Sequence, residues 1–197
     1  MLKMTYHKGF TLIEMMVSVA IFAIVMTISL GALLSMSESD RKAQTFKSVI
    51  NNLNFAMDSM SRSIRTGQVY HCDASQTPIT STRDCTGTPS SSFAFLPADG
   101  SNTLIYKLES SNATLCGQPS ARVGCIVRST DSGANYASIT SPEVYVDVLN
   151  FYVTGSAVGD GVQPKVTILI SGVVTVTVTQ SSTFNLQTSV TQRIYDQ

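Results

Sequence analysis

The feature that most constrains this chain is an uninterrupted apolar run close to its start. No residue in the range 15–37 carries a charge. An α-helix rises about 1.5 Å per residue, so this stretch is long enough to cross the roughly 30 Å hydrocarbon layer of a membrane. No other window of the 197-residue sequence is as long or as uniformly apolar. We therefore expect one membrane span, with the remainder of the chain outside the lipid.

The residues before the run predict its orientation. Lys3 and Lys8 precede it with no acidic residue between them, and cytoplasmic flanks of membrane spans carry an excess of Lys and Arg. We therefore expect a cytoplasmic N-terminus and an exported remainder. All four cysteines follow the span, where an oxidising compartment would permit disulfide bridges.

An ordinary secretory signal peptide fits this segment poorly. Such a peptide has an apolar core of about 7 to 15 residues and a small-x-small cleavage site after it. Here the apolar run is longer, and it leads into Glu38, Asp40, Arg41 and Lys42, which resemble the start of a polar helix. The segment is therefore predicted to stay in the protein.

Glu14 lies at the edge of the apolar run and requires compensation. A carboxylate at the centre of a membrane helix costs about 2.5 to 3.5 kcal/mol on insertion scales. In a simple membrane anchor, Glu14 would be an interfacial residue near the helix end. In an assembling protein, a charged partner would compensate it instead.

The string KGFTLIE at residues 8–14 resembles the class III signal of type IV prepilins and type II secretion pseudopilins. The resemblance implies that a prepilin peptidase cuts after Gly9 and that the new N-terminal residue, Phe10, is N-methylated. A residue without Cβ lets a peptidase approach the backbone closely. The resemblance also implies two further partners: other pilin or pseudopilin subunits, and an inner-membrane assembly platform.

Cleavage after Gly9 would make Glu14 the fifth residue of the mature chain. Its carboxylate would then lie within reach of the terminal amine of a neighbouring subunit. An intermolecular ion pair at low dielectric offsets the burial of both charges. We therefore expect Glu14 to contribute to subunit registration during assembly.

The segment at residues 38–66 has the pattern of an amphipathic helix. No proline occurs before Arg65, so we expect the membrane helix to continue into it as one rod, with Gly31 as a position where it could bend. Gly67 is predicted to end the helix in the left-handed conformation. The apolar residues recur at steps of three and four and are expected to face a core: Phe46, Val49, Ile50, Leu53, Met57, Met60 and Ile64.

Beyond Gly67 the composition shifts to Ser, Thr, Asn, Gly and Val, which is typical of short strands joined by turns. A strict alternation at residues 174–179 predicts an antiparallel sheet with one apolar face. Gly172 is expected to mark a bulge or tight turn, and residues 155–161 a hairpin connection. The predicted strands are 68–72, 92–96, 103–109, 124–128, 143–153, 165–171, 173–180 and 183–192.

The predicted fold class is α+β, a long N-terminal helix whose second half packs on an antiparallel β-sheet, as in pilins. The expected domains are a leader (1–9), a transmembrane and assembly helix (10–37), an amphipathic helix (38–67) and a β-rich head with disulfide loops (68–197). The ending FNLQTSVTQR at residues 184–193 resembles the closing strand of PilW-type minor pilins and of the minor pseudopilin J. With the insertion at 73–92, this second resemblance favours a minor subunit.

The cysteines bracket two loops. Cys72 and Cys85 enclose a Ser/Thr/Pro-rich segment, and Cys116 and Cys125 enclose a second loop with Gly and Pro. Adjacent pairing is the simplest of the three connectivities that four cysteines allow. Zinc binding is disfavoured because the pairs are not C-x-x-C and the one nearby histidine is His71.

Other classes of function find little support. Thirteen basic residues balance thirteen acidic ones and Trp is absent, so the charge pattern of a nucleic-acid-binding protein is missing. His7 and His71 cannot build a histidine-based triad or a multi-histidine metal site within one subunit. The loop at 131–135 lacks the acidic series of an EF-hand. We predict no catalytic residue, no cofactor and no metal, and hence no enzyme.

The expected function is that of a structural subunit, a minor pilin or minor pseudopilin, of a type IV pilus or a type II secretion pseudopilus. The protein would first be a single-pass inner-membrane protein with its globular domain outside the cytoplasm, and later part of a fibre in the periplasm or at the cell surface. One alternative is the major subunit of such a fibre. Another is a monomeric, membrane-anchored domain that binds an extracellular ligand and keeps the Gly9–Phe10 junction uncut.

Overall fold

The computed structural model describes residues 9–75, 77–85, 87–177 and 180–193. The leader residues Lys3, His7 and Lys8, and the end of the alternating segment at residues 178–179, lie outside the described residues. The chain divides into two compact units, Met1–Gln44 and Thr45–Gln197, and each is described by itself.

The first unit contains the apolar half of helix α1 (Leu12–Thr66), which continues through Gly31 without a break. Three hydroxyl groups of this half are satisfied within the helix. The hydroxyls of Ser18, Thr27 and Ser29 each donate to the carbonyl four residues earlier, at 2.6 to 2.8 Å. Such bonds remove the cost of placing a hydroxyl in an apolar environment, so these polar residues are compatible with a membrane span.

In the second unit, α1 buries one face. The predicted apolar stripe is confirmed at Val49, Leu53, Met60 and Ile64, and Ala56 joins it. Met60 is fully buried and Met57 packs against the same cluster, so the methionines are core residues, as predicted. The prediction is wrong for Phe46, which is 37% exposed and is not part of the core.

Helix α1 ends just before Gly67, as predicted, but not for the predicted reason. Gly67 has no positive φ. A Cβ at this position would instead clash with the ring of Phe95, so glycine is required by close packing and not by a left-handed cap. The Ile64 carbonyl, in the last turn of the helix, accepts hydrogen bonds from the Gly67 N–H at 2.9 Å and from the Tyr70 hydroxyl at 2.5 Å.

Five antiparallel strands form the first sheet in sequence order. They are β1 (Gln68–His71), β2 (Ser92–Leu96), β3 (Leu104–Glu109), β4 (Cys125–Ser129) and β5 (Ala137–Ser138). A short helix, α2 (Ala113–Cys116), connects β3 to β4. Neither α2 nor β5 was predicted from the sequence.

Three longer antiparallel strands form the second sheet: β6 (Val144–Thr154), β7 (Lys165–Thr177) and β8 (Gln180–Thr191). The loop at 155–164 joins β6 to β7, where a hairpin connection was predicted. Both sheets and the buried face of α1 contribute to one core, in which the Phe93 ring stacks on the Phe151 ring at 5.4 Å. The α+β prediction is confirmed, and the strands divide into two sheets.

Of the two alternatives predicted at Gly172, the tight turn is wrong, whereas a bulge does lie directly beside this glycine. Strand β7 runs through Gly172, which pairs with Val146 of β6 and Phe184 of β8. The irregularity lies on the neighbouring strand, where β6 inserts an extra residue between Val146 and Val148. A Cβ on Gly172 would clash with the Tyr145 carbonyl of β6. The glycine therefore permits close approach of the two strands beside a bulge.

Candidate functional site

The start of α1 is built by Thr11. Its carbonyl accepts the first helical hydrogen bond, from the Met15 N–H at 3.2 Å, and its hydroxyl accepts from the Glu14 N–H at 3.3 Å. Thr11 is therefore the N-cap residue, and Glu14 occupies the third helical position. Gly9 and Phe10 precede the helix.

Thr11 and Glu14 together have the spacing of a capping box, S/T-x-x-E/Q. A carboxylate in the first turn is also stabilised by the positive end of the helix dipole. Our sequence reasoning missed this role, although Thr-x-x-Glu before an apolar run is its usual signal. Glu14 therefore occupies the position from which a carboxylate stabilises the start of a helix, in addition to any contact with another subunit.

The Gly9–Phe10 junction is accessible in the described structure. Phe10 is 77% exposed, and a Cβ built on Gly9 would meet no atom within 4 Å. Gly9 also has no positive φ. Nothing in the described structure requires glycine here, so a requirement for glycine at this position would have to come from a protein that acts on the chain.

The helix that follows presents apolar side chains all round. Large hydrophobic side chains from Leu12 to Met36 are 48 to 78% exposed. The helix is long and apolar enough to cross a membrane, with a mean hydropathy of 2.5 over its most apolar window and none of that window buried. A helix that is hydrophobic all round needs lipid or other helices around it.

Residues 4–30 match the family model described as the prokaryotic N-terminal methylation motif. The match covers Gly9, Phe10 and Glu14 and supports a type IV pilin-like or pseudopilin-like protein. It ends within α1, so it does not distinguish a minor from a major subunit. No curated protein and no solved structure matched the chain.

Downstream of the methylation motif, the four cysteines form two disulfides between neighbours in sequence. They are Cys72–Cys85 and Cys116–Cys125, each with a Cα–Cα distance of 5.6 Å. The first belongs to the main core, and the Cys85 N–H donates to the Val153 carbonyl at 3.0 Å. The disulfide therefore closes the loop at 72–85, and the hydrogen bond of Cys85 attaches the end of this loop to β6. The second ties α2 to β4.

Loss of the second bridge is expected to destabilise the head. The double substitution Cys116→Ala and Cys125→Ala should lower the free energy of unfolding by about 2 to 3 kcal/mol, because the bridge restricts a short loop in the unfolded chain. Denaturant unfolding of the full chain in detergent would measure this. Cys72 and Cys85 should still resist alkylation in the variant, and equal stability of the two proteins would contradict the prediction.

Glu109 organises the turn that leads into α2. Its carboxylate accepts from the Ser111 hydroxyl at 2.6 Å and from the Ser111 and Asn112 N–H groups at 3.0 and 3.1 Å. The Lys107 ammonium lies 3.3 Å away. The bond from the Ser111 hydroxyl, with the other donors, lowers the pKa of Glu109 to about 2.

This lowered pKa predicts an acid-sensitive contribution to stability. The ordinary value is 4.5, so the contribution of Glu109 should be complete above it and be lost as the pH falls toward about 2. Glu109→Gln should flatten the dependence of the free energy of unfolding on pH in that window. Glu143→Gln changes an exposed glutamate outside this network and serves as the control. Parallel curves for the wild type and Glu109→Gln would refute the assignment.

Two of the remaining titratable groups that the structure describes are engaged in local hydrogen bonds. His71 is buried, and its Nδ1 lies 2.6 Å from the Asp73 carbonyl oxygen. The Asp131 carboxylate is engaged by Ser129 and Asn135 at 2.6 to 2.8 Å, which lowers its pKa to about 2. Among the described residues, no three His, Cys, Asp or Glu side chains are grouped to hold a metal ion.

Proposed function

We propose that this chain is a minor pilin or minor pseudopilin, a structural subunit of a type IV pilus or a type II secretion pseudopilus. The observation that carries the proposal is the position of the methylation motif, whose Gly9–Phe10 junction is exposed directly ahead of a helix that is apolar all round. The closing strand of the sequence, with its resemblance to minor subunits, favours a minor over a major subunit.

Processing would convert a membrane protein into an assembly unit. A prepilin peptidase would cut after Gly9, remove the cationic leader and leave Phe10 as the N-terminal residue for methylation. Before cleavage, the apolar half of α1 would hold the precursor in the inner membrane with its head outside the cytoplasm. After cleavage, the same half would pack among the helices of other subunits on the assembly platform, in a fibre in the periplasm or at the cell surface.

The hydrophobic effect alone does not explain such packing. Lipid tails are as apolar as leucine, so helices that leave lipid gain mainly from side-chain packing and from polar contacts between helices. Few polar groups are present at residues 12–37, and Glu14 is the one acidic side chain among them. An ion pair between Glu14 and the amine of Phe10 on another subunit would therefore supply much of the specificity for register.

A substitution can separate this ion pair from the capping role of Glu14. Glu14→Gln keeps the capping-box pattern but removes the charge, so the variant should be inserted and cleaved normally yet enter fibres about tenfold less, because it leaves a buried amine unpaired. Glu14→Ala, which loses both roles, is the comparison. Quantitative blotting of sheared fibres gives the readout. Normal incorporation of Glu14→Gln would limit Glu14 to helix capping.

The proposal as a whole is tested by the mass of the mature N-terminus. Protein recovered from its native host should begin at Phe10 and carry one methyl group. A chain that keeps its first nine residues, in cells whose prepilin peptidase is active, would overturn the proposal and favour a monomeric anchored binding domain. The amount of this chain relative to other subunits in sheared fibres would separate a minor from a major subunit.

A further inference from the structure

A groove in the second unit lies between the end of α1 and strand β8. Its volume is about 550 Å³, and it is lined by Asp58, Ser61, Arg62 and Arg65 of the helix and by residues 188–190 of the strand. Consecutive strand residues point to opposite faces, so a groove that contacts three in a row follows the edge of β8. A smaller cavity of about 370 Å³ shares Arg65 and extends to Arg193.

The edge of β8 is open. Within the described residues, β8 pairs with β7 alone. The opposite edge of this sheet, along β6, is covered. There the Cys85 N–H donates to the Val153 carbonyl, and the Val146 N–H donates to the Gly124 carbonyl. Every second N–H and C=O of β8 therefore points away from its sheet. Exposed edges are usually protected by charged residues or proline, and β8 contains neither.

The groove beside this edge is positively charged. Arg62 is paired with Asp58 at 2.8 Å. Arg65 and Arg193 have no acidic partner among the described residues, and the Arg193 N–H donates to the Arg65 carbonyl at 2.8 Å. This bond places the two arginines at the same end of the groove. Among the described residues that line the groove and its end, three arginines and one aspartate leave an excess of positive charge, which suits a carboxylate.

We propose that the groove binds an extended acidic segment of a partner protein, which adds to the second sheet along β8 and places an Asp or Glu side chain against Arg65 and Arg193. Strand addition supplies affinity through the main chain, and the arginines select the side chain. A second copy of this chain fits less well, because a paired β8 would bring no acidic residue to the arginines. The inference does not depend on the proposed function.

A purely structural role for the arginines predicts a different outcome. Cations near the C-terminus of a helix stabilise its dipole, so Arg65 and Arg193 could act on α1 alone. In that case their removal would lower the thermal midpoint and leave no peptide binding to lose. Binding and thermal stability are therefore measured on the same samples.

The test uses the full chain in detergent and fluorescein-labelled peptides of about ten residues that alternate Thr and Val and carry two Glu. We expect the acidic peptide to bind about tenfold or more tightly than its Gln counterpart, by fluorescence anisotropy at low salt. Arg65→Gln combined with Arg193→Gln should remove that preference. Lys47→Gln, which removes a charge from an exposed residue outside the groove, should retain it.

A second pair of probes tests strand addition itself. Methylating alternate backbone nitrogens of the acidic peptide should abolish binding for one set of nitrogens and spare it for the other, because a strand bonded along one edge uses every second N–H. Equal binding of the Glu and Gln peptides, equal effects of the two methylated sets, or no binding by the wild type would each overturn the proposal. The proposal would also be overturned if β8 of one copy cross-linked to β8 of another copy and the peptide did not bind.

Discussion

Cells that produce the Gly9→Leu variant are expected to accumulate an uncleaved precursor, with processing slowed on the order of 100-fold. A side chain at this position would hold the scissile bond away from the catalytic groups of the peptidase, and a displacement of about 1 Å is enough for a loss of that size. The described structure places no atom within 4 Å of a Cβ at Gly9. The variant should therefore fold and insert as the wild type does.

Gly31 provides the matched control for this experiment. A Cβ at Gly31 would also meet no atom within 4 Å, and its φ is not positive, but this glycine lies well inside α1. Gly31→Leu should be cleaved at the normal rate, as judged by the ratio of precursor to mature protein on a denaturing gel. If Gly9→Leu is cleaved as fast as Gly31→Leu, the assignment of the cleavage site is wrong.

Replacement of Gly172 by alanine is expected to be strongly destabilising for a change of a single methyl group. The added Cβ would meet the Tyr145 carbonyl and the Phe184 ring. A backbone atom cannot move aside as a flexible side chain can, so the strands must separate or the bulge in β6 must reorganise. We expect a loss of about 3 kcal/mol, which corresponds to a fall in thermal midpoint on the order of 10 °C.

Gly87→Ala is the control for Gly172→Ala. No atom lies within 4 Å of a Cβ at Gly87, and its φ is not positive, so its substitution should change stability by less than about 0.5 kcal/mol. Thermal unfolding of the full chain in detergent, followed by circular dichroism in the β-sheet region, compares the two variants. A Gly172→Ala protein as stable as Gly87→Ala would show that the strands tolerate the added methyl group.

Local patterns predicted the elements well where one face is buried. The helix stripe at Val49, Leu53 and Met60 follows from periodicity, because burial of one helix face imposes the same period on the sequence. Gly172 was misread because a glycine inside a strand pattern can indicate either a break or close packing. The deciding contact, with Tyr145, is distant in sequence. Helix α2 was overlooked because it is only four residues long.

The candidate sites also differ in how far they can be predicted from the sequence. Gly9, Phe10 and Glu14 lie in one short motif, so the sequence was sufficient to nominate them, although the N-cap position of Thr11 became clear only from its hydrogen bonds. The groove along β8 could not be predicted. Arg65 and Arg193 are far apart in the chain, and each is an ordinary exposed arginine until the fold joins their backbones.

The cystine at Cys72–Cys85 has a consequence for the timing of biogenesis. Both cysteines belong to the same core as Phe93 and Phe151, so the covalent link inside that core forms only after an oxidant has reached the head. A thiol-reducing cytoplasm would leave the two thiols unbridged, whereas an oxidising exterior would form the bridge while the helix is still held in the bilayer. On the proposed function, oxidation thus becomes a maturation checkpoint that separates export from polymerisation.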